Sequence, residues 1–589
     1  MNDNFIESLT PQKLKDLDIN KLNELPVKIR EYMISSVSKT GGHIGANLSV
    51  VELTIALHRV FDSPKDKIIF DTGHQGYTHK IITGRGKDLK TLNQPNGMSR
   101  FITRSESAHD IIDASHAGTS LSIACGLALS NEIKNKENYV VPVIGDGSLV
   151  EGLAFEGLNY VSVHNTKLVI ILNDNGMAIA PNVGGINKIT SDTDYIHLCR
   201  NFFDGFGIKY FCVENGHSIS NLVDAYELAK NCSSPSIVHV KTIKGNGLDF
   251  AAEHPYKMHF SMPFNPSNGK GASPTIAGKT YAVVAAEALK EKIVEDDEVF
   301  VITPATPYAS SLDDLKNQFP ERIFDVGMAE QHAVVMACGM ALDGLKPIVC
   351  FQTTFMQRAF DQLIHDMCFM DLAVTILGVR SGFAGLDSPT HHGIYDIPYL
   401  RSIPNLNIVY PVNSYDMSQT IKDRLKNPKG PMVILHPYEA ISKNEVKNFS
   451  SFNEDICEVV KGNIGIIFCI GNTLEQALEL RQLIKESNMG EYSVACVRTI
   501  KPTPTDKIIE LIGKCENVIS YEESTLSGGL GSQISEVLAD NGSKLNMIRI
   551  GIDDIFVPTG EKLDLAKYCG IDPHTALEKI KNQFIQNEI

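Results

Sequence analysis

A chain of 589 residues is several times longer than one hydrophobic core can organise, so two to four domains are expected. Its net charge of −16 argues against nucleic acid or an anionic membrane surface as a partner, and 43% hydrophobic with 21% charged residues is the composition of an ordinary globular protein. No apolar run reaches bilayer length, and the stretch from Met1 to Lys15 has neither an apolar signal core nor a basic amphipathic pattern, so a cytoplasmic protein is expected. The 12 cysteines are scattered without a Cys-x-x-Cys pair, which reads as reduced, mostly buried thiols.

In chain order, Leu14 to Val37 has helical apolar spacing and Val50 to Val60 reads as a second helix. Strands are predicted at Lys67–Phe70, Tyr139–Ile144, Leu168–Leu172 and 236–240, alternating with helices as in a parallel α/β sheet. Pro263 to Thr275, dense in Pro, Gly, Ser and Asn, is the best linker candidate. A second alternating unit has strand candidates at Val299–Ile302, Arg322–Val326, Pro347–Phe351, Ala373–Val379, Asn407–Tyr410 and Met432–Leu435. After a less apolar stretch, Ala440 to Asp455, a third unit follows with strands at Gly462–Cys469, Tyr492–Cys496, Asn517–Tyr521 and Leu545–Ile550. The expected architecture is three consecutive doubly wound α/β domains over 1–275, 276–440 and 456–589.

Chemistry concentrates first between Tyr139 and Gly176. One predicted strand ends in Gly145-Asp146-Gly147-Ser148 and the next in Asn173-Asp174-Asn175, with a helix-like segment, Gly152 to Leu158, between them. Right-handed β-α-β units bring both strand ends to one sheet edge. There a carboxylate, an amide and free backbone groups suit a hard divalent cation that shares its ligands with a diphosphate.

Three His-Gly clusters lie in the same domain, around His43, around His74 and His79, and around His116. Glycine-rich turns leave N–H groups for phosphate oxygens, and imidazoles suit proton transfer near neutral pH. Their spacing is not that of zinc ligands. In the second domain Phe324-Asp325-Val326-Gly327-Met328-Ala329-Glu330-Gln331-His332 takes a strand into a helix, with Glu330 in its first turn, where a carboxylate is favoured by the helix dipole.

The Asp146/Asn175 pair resembles the diphosphate-and-metal motif of thiamine-diphosphate enzymes. The order of the motifs, together with Thr354-Phe355-Met356-Gln357-Arg358-Ala359-Phe360-Asp361-Gln362 and Thr390-His391-His392-Gly393, is similar to that of the 1-deoxy-D-xylulose-5-phosphate synthase family, transketolase-like enzymes, from about Leu14 to Phe584. The resemblance implies a homodimeric transferase that uses thiamine diphosphate and Mg²⁺ to decarboxylate pyruvate and join the two-carbon unit to D-glyceraldehyde 3-phosphate. By it Asp146 and Asn175 ligate Mg²⁺. His74, Ser115, His116, Ala117, Gly147, Ser148, Met177, Lys244 and Leu248 line the cofactor, and Glu330 bonds its aminopyrimidine ring. His43, His259 and His391 are active-site histidines, and Arg358, Arg380 and Asp387 lie at the acceptor.

The chain departs from the family pattern at several of these places. Gln352 and Tyr438 stand where the family has a tyrosine and an arginine at the acceptor's phosphate, Leu248 stands for an aromatic, and the stretch between Asn175 and Lys244 is shorter. Rival readings are the same chemistry with another aldehyde, a transketolase that releases no CO₂, and a non-catalytic homologue, the last opposed by intact Asp146, Asn175 and Glu330.

Overall fold

The computed structural model describes residues 2–94, 97–164, 166–273, 278–442, 454–513 and 515–587. The chain divides into two units, Met1–Thr275 with Gly327–Ala329, and Ile276–Val326 with Glu330–Ile589.

The first unit is built on one sheet. Its strands are β1 (Lys67–Phe70), β2 (Val140–Gly145), β3 (Val169–Asp174), β4 (Lys209–Val213) and β5 (Ser236–Lys241), in the order β1-β2-β3-β5-β4, and every pairing is parallel. Successive residues point to opposite faces, and both faces are covered. Val169 and Ile171 pack with Leu53 and Leu57 of helix Val51–Val60 and Tyr226 of helix Ile219–Lys230. Ile170 and Leu172 pack on the other side with Leu121 of Ser120–Ile133 and Leu158 of Gly152–Val161. The strand predictions fall on β1, β2, β3 and β5. The edge strand β4, whose burial is broken, was not anticipated.

The helix expected over Leu14–Val37 is two, Pro11–Lys15 and Ile19–Thr40. Asp18 accepts the N–H of Lys21 at 3.0 Å and so caps a fresh N-terminus in the middle of the apolar pattern. The expected linker is a folded turn over its described part. Phe264 N–H donates to Ser38 O, Met262 N–H to Ala272 O and Asn265 N–H to Lys270 O, with Gly269 and Gly271 at positive φ. Its Pro274 and Thr275 lie outside the described residues, as do 443–453 of the stretch from Ala440 to Asp455.

The second unit carries two sheets. The first contains β6 (Val299–Thr303), β7 (Ile323–Asp325), β8 (Lys346–Gln352), β9 (Thr375–Val379), β10 (Asn407–Val409) and β11 (Met432–His436). The second contains β12 (Ile456–Val460), β13 (Gly465–Cys469), β14 (Tyr492–Val497), β16 (Asn517–Thr525) and β17 (Asn546–Ile552). Strand β15 (Thr499–Lys501) continues directly from β14 but joins the first sheet, antiparallel to β10. The orders are β15-β10-β11-β9-β8-β6-β7 and β12-β14-β13-β16-β17. The edge pairings β10–β15 and β12–β14 are antiparallel, and the other pairings are parallel. Three α/β sheets along the chain match the expected fold class. Among the described residues no helix is long and apolar enough to cross a membrane.

Candidate active site

In the first unit Gly145 of β2 pairs with Asn173 of β3, and Asp146 N–H donates to Asn173 O at 3.0 Å. The two strands therefore release Asp146 and Asp174-Asn175 at one level of the same edge. Asp146 accepts Gly147 N–H at 3.0 Å on one oxygen and Gly176 N–H at 2.7 Å on the other. Asn175 Oδ1 accepts Met177 N–H at 3.1 Å. A Cβ at Gly147 would lie 2.6 Å from that of Ala178, so a side chain there has no room.

Asp174 is buried beside Asp146 and is held from the next strand. His239 Nε2–H donates to it at 2.7 Å and Lys241 at 2.6 Å, while the Tyr210 hydroxyl donates to His239 Nδ1 at 2.9 Å. Burial, and then the facing Asp174 carboxylate, push the Asp146 carboxyl well above its ordinary value. Burial acts on Asp174 in the same sense, but His239 and Lys241 outweigh it and hold Asp174 below the usual range. Two facing carboxylates with one proton between them make a place where a dication relieves repulsion. Lys244, from the loop after β5, is buried and donates to Ala178 O at 2.7 Å; burial brings its ammonium down to about 7, against the pull of Asp146.

At the end of β1, Asp71 accepts the N–H groups of Gly118 at 2.7 Å and Ser120 at 2.9 Å, which fixes the half-buried Ser115 and His116 and the buried Ala117 beside that strand. Ser148 Oγ meets Thr72 Oγ1 at 3.3 Å. His43, His74 and His259 form a triangle, with ring centres 5.1, 5.2 and 5.5 Å apart. Buried Asn47 donates to His43 O at 2.8 Å and His74 O at 2.6 Å, and the Tyr77 hydroxyl accepts His43 N–H at 3.1 Å. Gly42 and Ser261 exchange backbone hydrogen bonds of 2.8 Å, which draws His259 to His43. Gly41, at φ +75°, runs so close to Ser261 that a Cβ would lie 2.7 Å from its carbonyl oxygen. Burial drives His74 down to about 4 and His259 well below the ordinary imidazole value, so both are neutral at pH 7.

The loop that carries Ser115 and His116 is anchored further out. Arg85 donates to both oxygens of Asp110, at 2.7 and 2.8 Å, and His79 Nε2–H donates to Asp110 at 3.2 Å. Lys80 donates to Glu106 at 2.6 Å. Leu248, expected at the cofactor, packs against the apolar cluster of helix Ile19–Thr40.

In the second unit Gln352 ends strand β8, and Arg380 and Tyr438 follow the neighbouring strands β9 and β11, where Gln352 pairs with Val379 and Val379 with His436. Arg380 Nη1 donates to Gln352 Oε1 at 3.0 Å and to Asp387 at 2.9 Å, and its guanidinium lies 4.4 Å from the centre of the Tyr438 ring. Gln352 Nε2 donates in turn to the Tyr308 hydroxyl at 3.3 Å. The ring of His391 meets Phe355 edge-on at 5.4 Å, and Thr354 Oγ1 donates to Thr390 O at 2.6 Å. Glu330 is buried and opens helix Glu330–Leu342. Arg358 lies on the turn Gln357–Ala359.

In the first unit His43, His74 and His259 are brought together, and Asp146 and Asn175 stand at one strand edge; in the second, Gln352, Arg380, Asp387 and Tyr438 meet. Asn47, Asp71, Tyr77, Asp110, His239 and Tyr308 were missed. Each acts through a partner far away in sequence, and only Asp71 and Tyr77, in the stretch from Asp71 to Lys80 around His74 and His79, stand inside a motif that pointed to them.

The 1-deoxy-D-xylulose-5-phosphate synthase family model matches residues 6–198 and 191–242. The transketolase pyrimidine-binding domain matches 277–442, and the transketolase C-terminal domain matches 458–575. A 1-deoxy-D-xylulose-5-phosphate synthase of Listeria monocytogenes serotype 4b is 38% identical over 98% of this chain and 97% of its own length. Those of Halothermothrix orenii and Bacillus velezensis are each 36% identical, over 98% and 97% of this chain and 97% of their own lengths. Among solved structures, transketolase from Campylobacter jejuni aligns over 96% of this chain and all of its own, at 16% identity and a TM-score of 0.46.

Proposed function

Since the chain belongs to the 1-deoxy-D-xylulose-5-phosphate synthase family, we propose that it decarboxylates pyruvate and condenses the two-carbon unit with D-glyceraldehyde 3-phosphate to give 1-deoxy-D-xylulose 5-phosphate and CO₂. The observation that carries this reading is the Gly145–Asn173 register, which sets Asp146, Asp174 and Asn175 at one strand edge with Lys244 close by.

The family's cofactors fit that edge. Asp146 is buried, faces a second carboxylate and is already met by two N–H groups. Among the described residues no group of three or more His, Cys, Asp or Glu is arranged to hold a metal by itself. The ligand set for Mg²⁺ would then be Asp146, the Asn175 amide, backbone oxygens and the cofactor's diphosphate. Thiamine diphosphate bound there supplies the carbon nucleophile and the electron sink for decarboxylation.

The chain's own residues do the rest. Gly147, Ser148, Ser115, His116, Ala117 and Met177 form the turns that take the diphosphate and ring system, with Lys244, whose ammonium burial brings down to about 7, beside them. Glu330, buried at the start of its helix, is the carboxylate that the family resemblance assigns to the aminopyrimidine. His43, His74, His259 and His391 hold and move protons on substrate oxygens, His74 and His259 as neutral imidazoles. Arg380, Gln352, Asp387, Tyr438 and Arg358 receive the aldehyde. The same reading makes the protein a cytoplasmic homodimer.

The test is the purified protein with thiamine diphosphate, Mg²⁺, labelled pyruvate and D-glyceraldehyde 3-phosphate. CO₂ and 1-deoxy-D-xylulose 5-phosphate in equal amounts are expected. A ketol product from ketose phosphates without CO₂ would make it a transketolase instead. Light scattering tests the dimer.

A further inference from the structure

The sheet β12-β14-β13-β16-β17 carries none of the residues assigned to the reaction. It nevertheless holds the loop that carries two of them, Asp387 and His391. That loop runs from the end of β9 to helix Asp396–Arg401, and it is pinched where Gly382 and Gly393 exchange backbone hydrogen bonds of 2.8 Å. Beside the pinch, Phe383 and Ile394 are buried in one apolar cluster with Cys469 of β13, Tyr521 of β16 and Val557. Glu523 of β16 accepts Phe383 N–H at 2.6 Å, and Ile394 O accepts the N–H of Thr525 and the hydroxyl of Ser524, each at 3.1 Å. The roots of the loop are thus built into the core of the other sheet.

The body of the loop is held by the segment Pro558–Lys562, which follows β17. The Thr559 hydroxyl donates to Asp387 O at 3.2 Å, and Gly560 N–H to Gly385 O at 3.4 Å. Lys562 pairs with Glu523 at 3.2 Å and with Glu439, the residue after Tyr438. His392 joins loop and segment. Its Nδ1 accepts Ala384 N–H at 2.9 Å. A backbone N–H can only donate, so the ring proton sits on Nε2, which donates to Pro558 O at 3.1 Å. Burial holds this imidazole below its ordinary value, so it is neutral at pH 7 and keeps that tautomer. Asp387, in the same loop, accepts Arg380 Nη1–H at 2.9 Å. Any shift of the loop moves that carboxylate and, with it, the guanidinium.

We propose that His392 is a positioning residue for the aldehyde: it pins the Gly382–Gly393 loop to Pro558 and so fixes the Asp387 carboxylate against Arg380. The inference rests on the function proposed above, in which Arg380 and Asp387 receive the aldehyde.

Two amides separate the two bonds of the ring. The side-chain oxygen of asparagine can stand where Nδ1 stands, and the side-chain nitrogen of glutamine where Nε2 stands. His392→Asn therefore keeps the bond to Ala384 and loses Pro558, whereas His392→Gln keeps Pro558. In steady-state kinetics on the Mg²⁺ and thiamine diphosphate holoenzyme, His392→Asn is expected to raise KM for D-glyceraldehyde 3-phosphate about 3- to 10-fold, the range of one hydrogen bond. Both kcat and the KM for pyruvate should stay as they are, and His392→Gln should restore the aldehyde KM. An aldehyde KM within twofold of the unaltered enzyme in His392→Asn overturns the proposal, as does an equal rise for pyruvate or an equal loss in the two variants. Should His392→Asn fail to fold, Thr559→Val takes its place, because that exposed side chain holds the same loop from outside the core. A raised aldehyde KM then supports the clamp, and an unchanged one overturns it.

Amide hydrogen exchange read by mass spectrometry does not depend on turnover. Exchange across residues 382–393 should quicken about tenfold in His392→Asn and stay slow in His392→Gln. Equal exchange in His392→Asn and the unaltered protein overturns the pin. Should the unaltered enzyme form no product, the functional reading fails by itself, and the exchange rates alone decide whether His392 holds the loop.

Discussion

Arg380 is clamped on its face by Tyr438, at 4.4 Å, while one of its terminal nitrogens is shared between Gln352 and Asp387. It holds this position from a backbone at φ +70°, a conformation uncommon for a side chain of its kind. The stack is worth roughly 0.5–2 kcal/mol when desolvated. Tyr438→Phe should keep the stack and the KM for the aldehyde. Tyr438→Ala should loosen the guanidinium and raise that KM about tenfold, with the KM for pyruvate unchanged. Equal behaviour of the two variants would remove the stack from acceptor binding.

Replacing Asp146 by Ala takes away the carboxylate that two N–H groups orient at the strand edge. Titration of thiamine diphosphate into that variant should show that Mg²⁺ no longer strengthens binding. The same metal dependence as in the unaltered protein would reduce Gly145-Asp146-Gly147 to a turn.

For Glu330→Gln, turnover should fall by about 10²–10⁴-fold, the range of general acid–base contributions. Cofactor affinity should survive, because the amide keeps the size and the helix start. A kcat near that of the unaltered enzyme would put Glu330 outside the chemistry.

Acid should weaken the first unit over a defined window. Above pH 6.5 His74 is neutral both folded and unfolded. Between 6.5 and about 4 the unfolded chain takes up a proton that the buried imidazole refuses. Stability is then lost as pH falls, by about 1.4 kcal/mol per unit for each such histidine. His58 and His259, lowered by burial in the same direction, steepen the slope. Urea midpoints measured across this window should fall toward pH 4, and less steeply in His74→Gln. A flat midpoint would contradict the burial of these rings.

Asp110→Asn should be costly although the residue is remote from the strand edge. Burial opposes its charge, but His79 and Arg85 hold its carboxyl well below the usual range. Leaving Arg85 buried with a weakened partner costs about 3–5 kcal/mol, and the melting temperature of that unit should drop by on the order of ten degrees. Thiamine diphosphate affinity should fall with it, because the loop that bears Ser115 and His116 hangs from this network. An unchanged melting curve would show that the loop is held elsewhere.

The sequence disclosed those parts of the molecule in which one local pattern carries the signal. Buried parallel strands are short, unbroken apolar runs, and the small polar residues that end β2 and β3 marked the edge on which Asp146 and Asn175 stand. Where pattern and neighbour disagree, reading failed. The half-exposed edge strand β4 has no clean alternation, and β12 and β15 gain their partners from antiparallel pairings at sheet edges. The helix break at Asp18 is set by one cap inside a continuous apolar stripe. His43, His74 and His259 could be named singly, but their triangle depends on Asn47, Tyr77 and Ser261, whose meaning lies in which carbonyl or N–H they meet.

The exchange of hydrogen bonds between Gly42 and Ser261 spans 219 residues. A ribosome adding about 5–20 residues per second would need roughly ten to forty-five seconds to travel from one to the other. Throughout that time the nascent chain can fold its helices and pair β1 with β2, but His43 has no His259 beside it. The histidine triangle is therefore a late stitch of this unit, and a growing chain acquires it only after every strand of the sheet has left the exit tunnel.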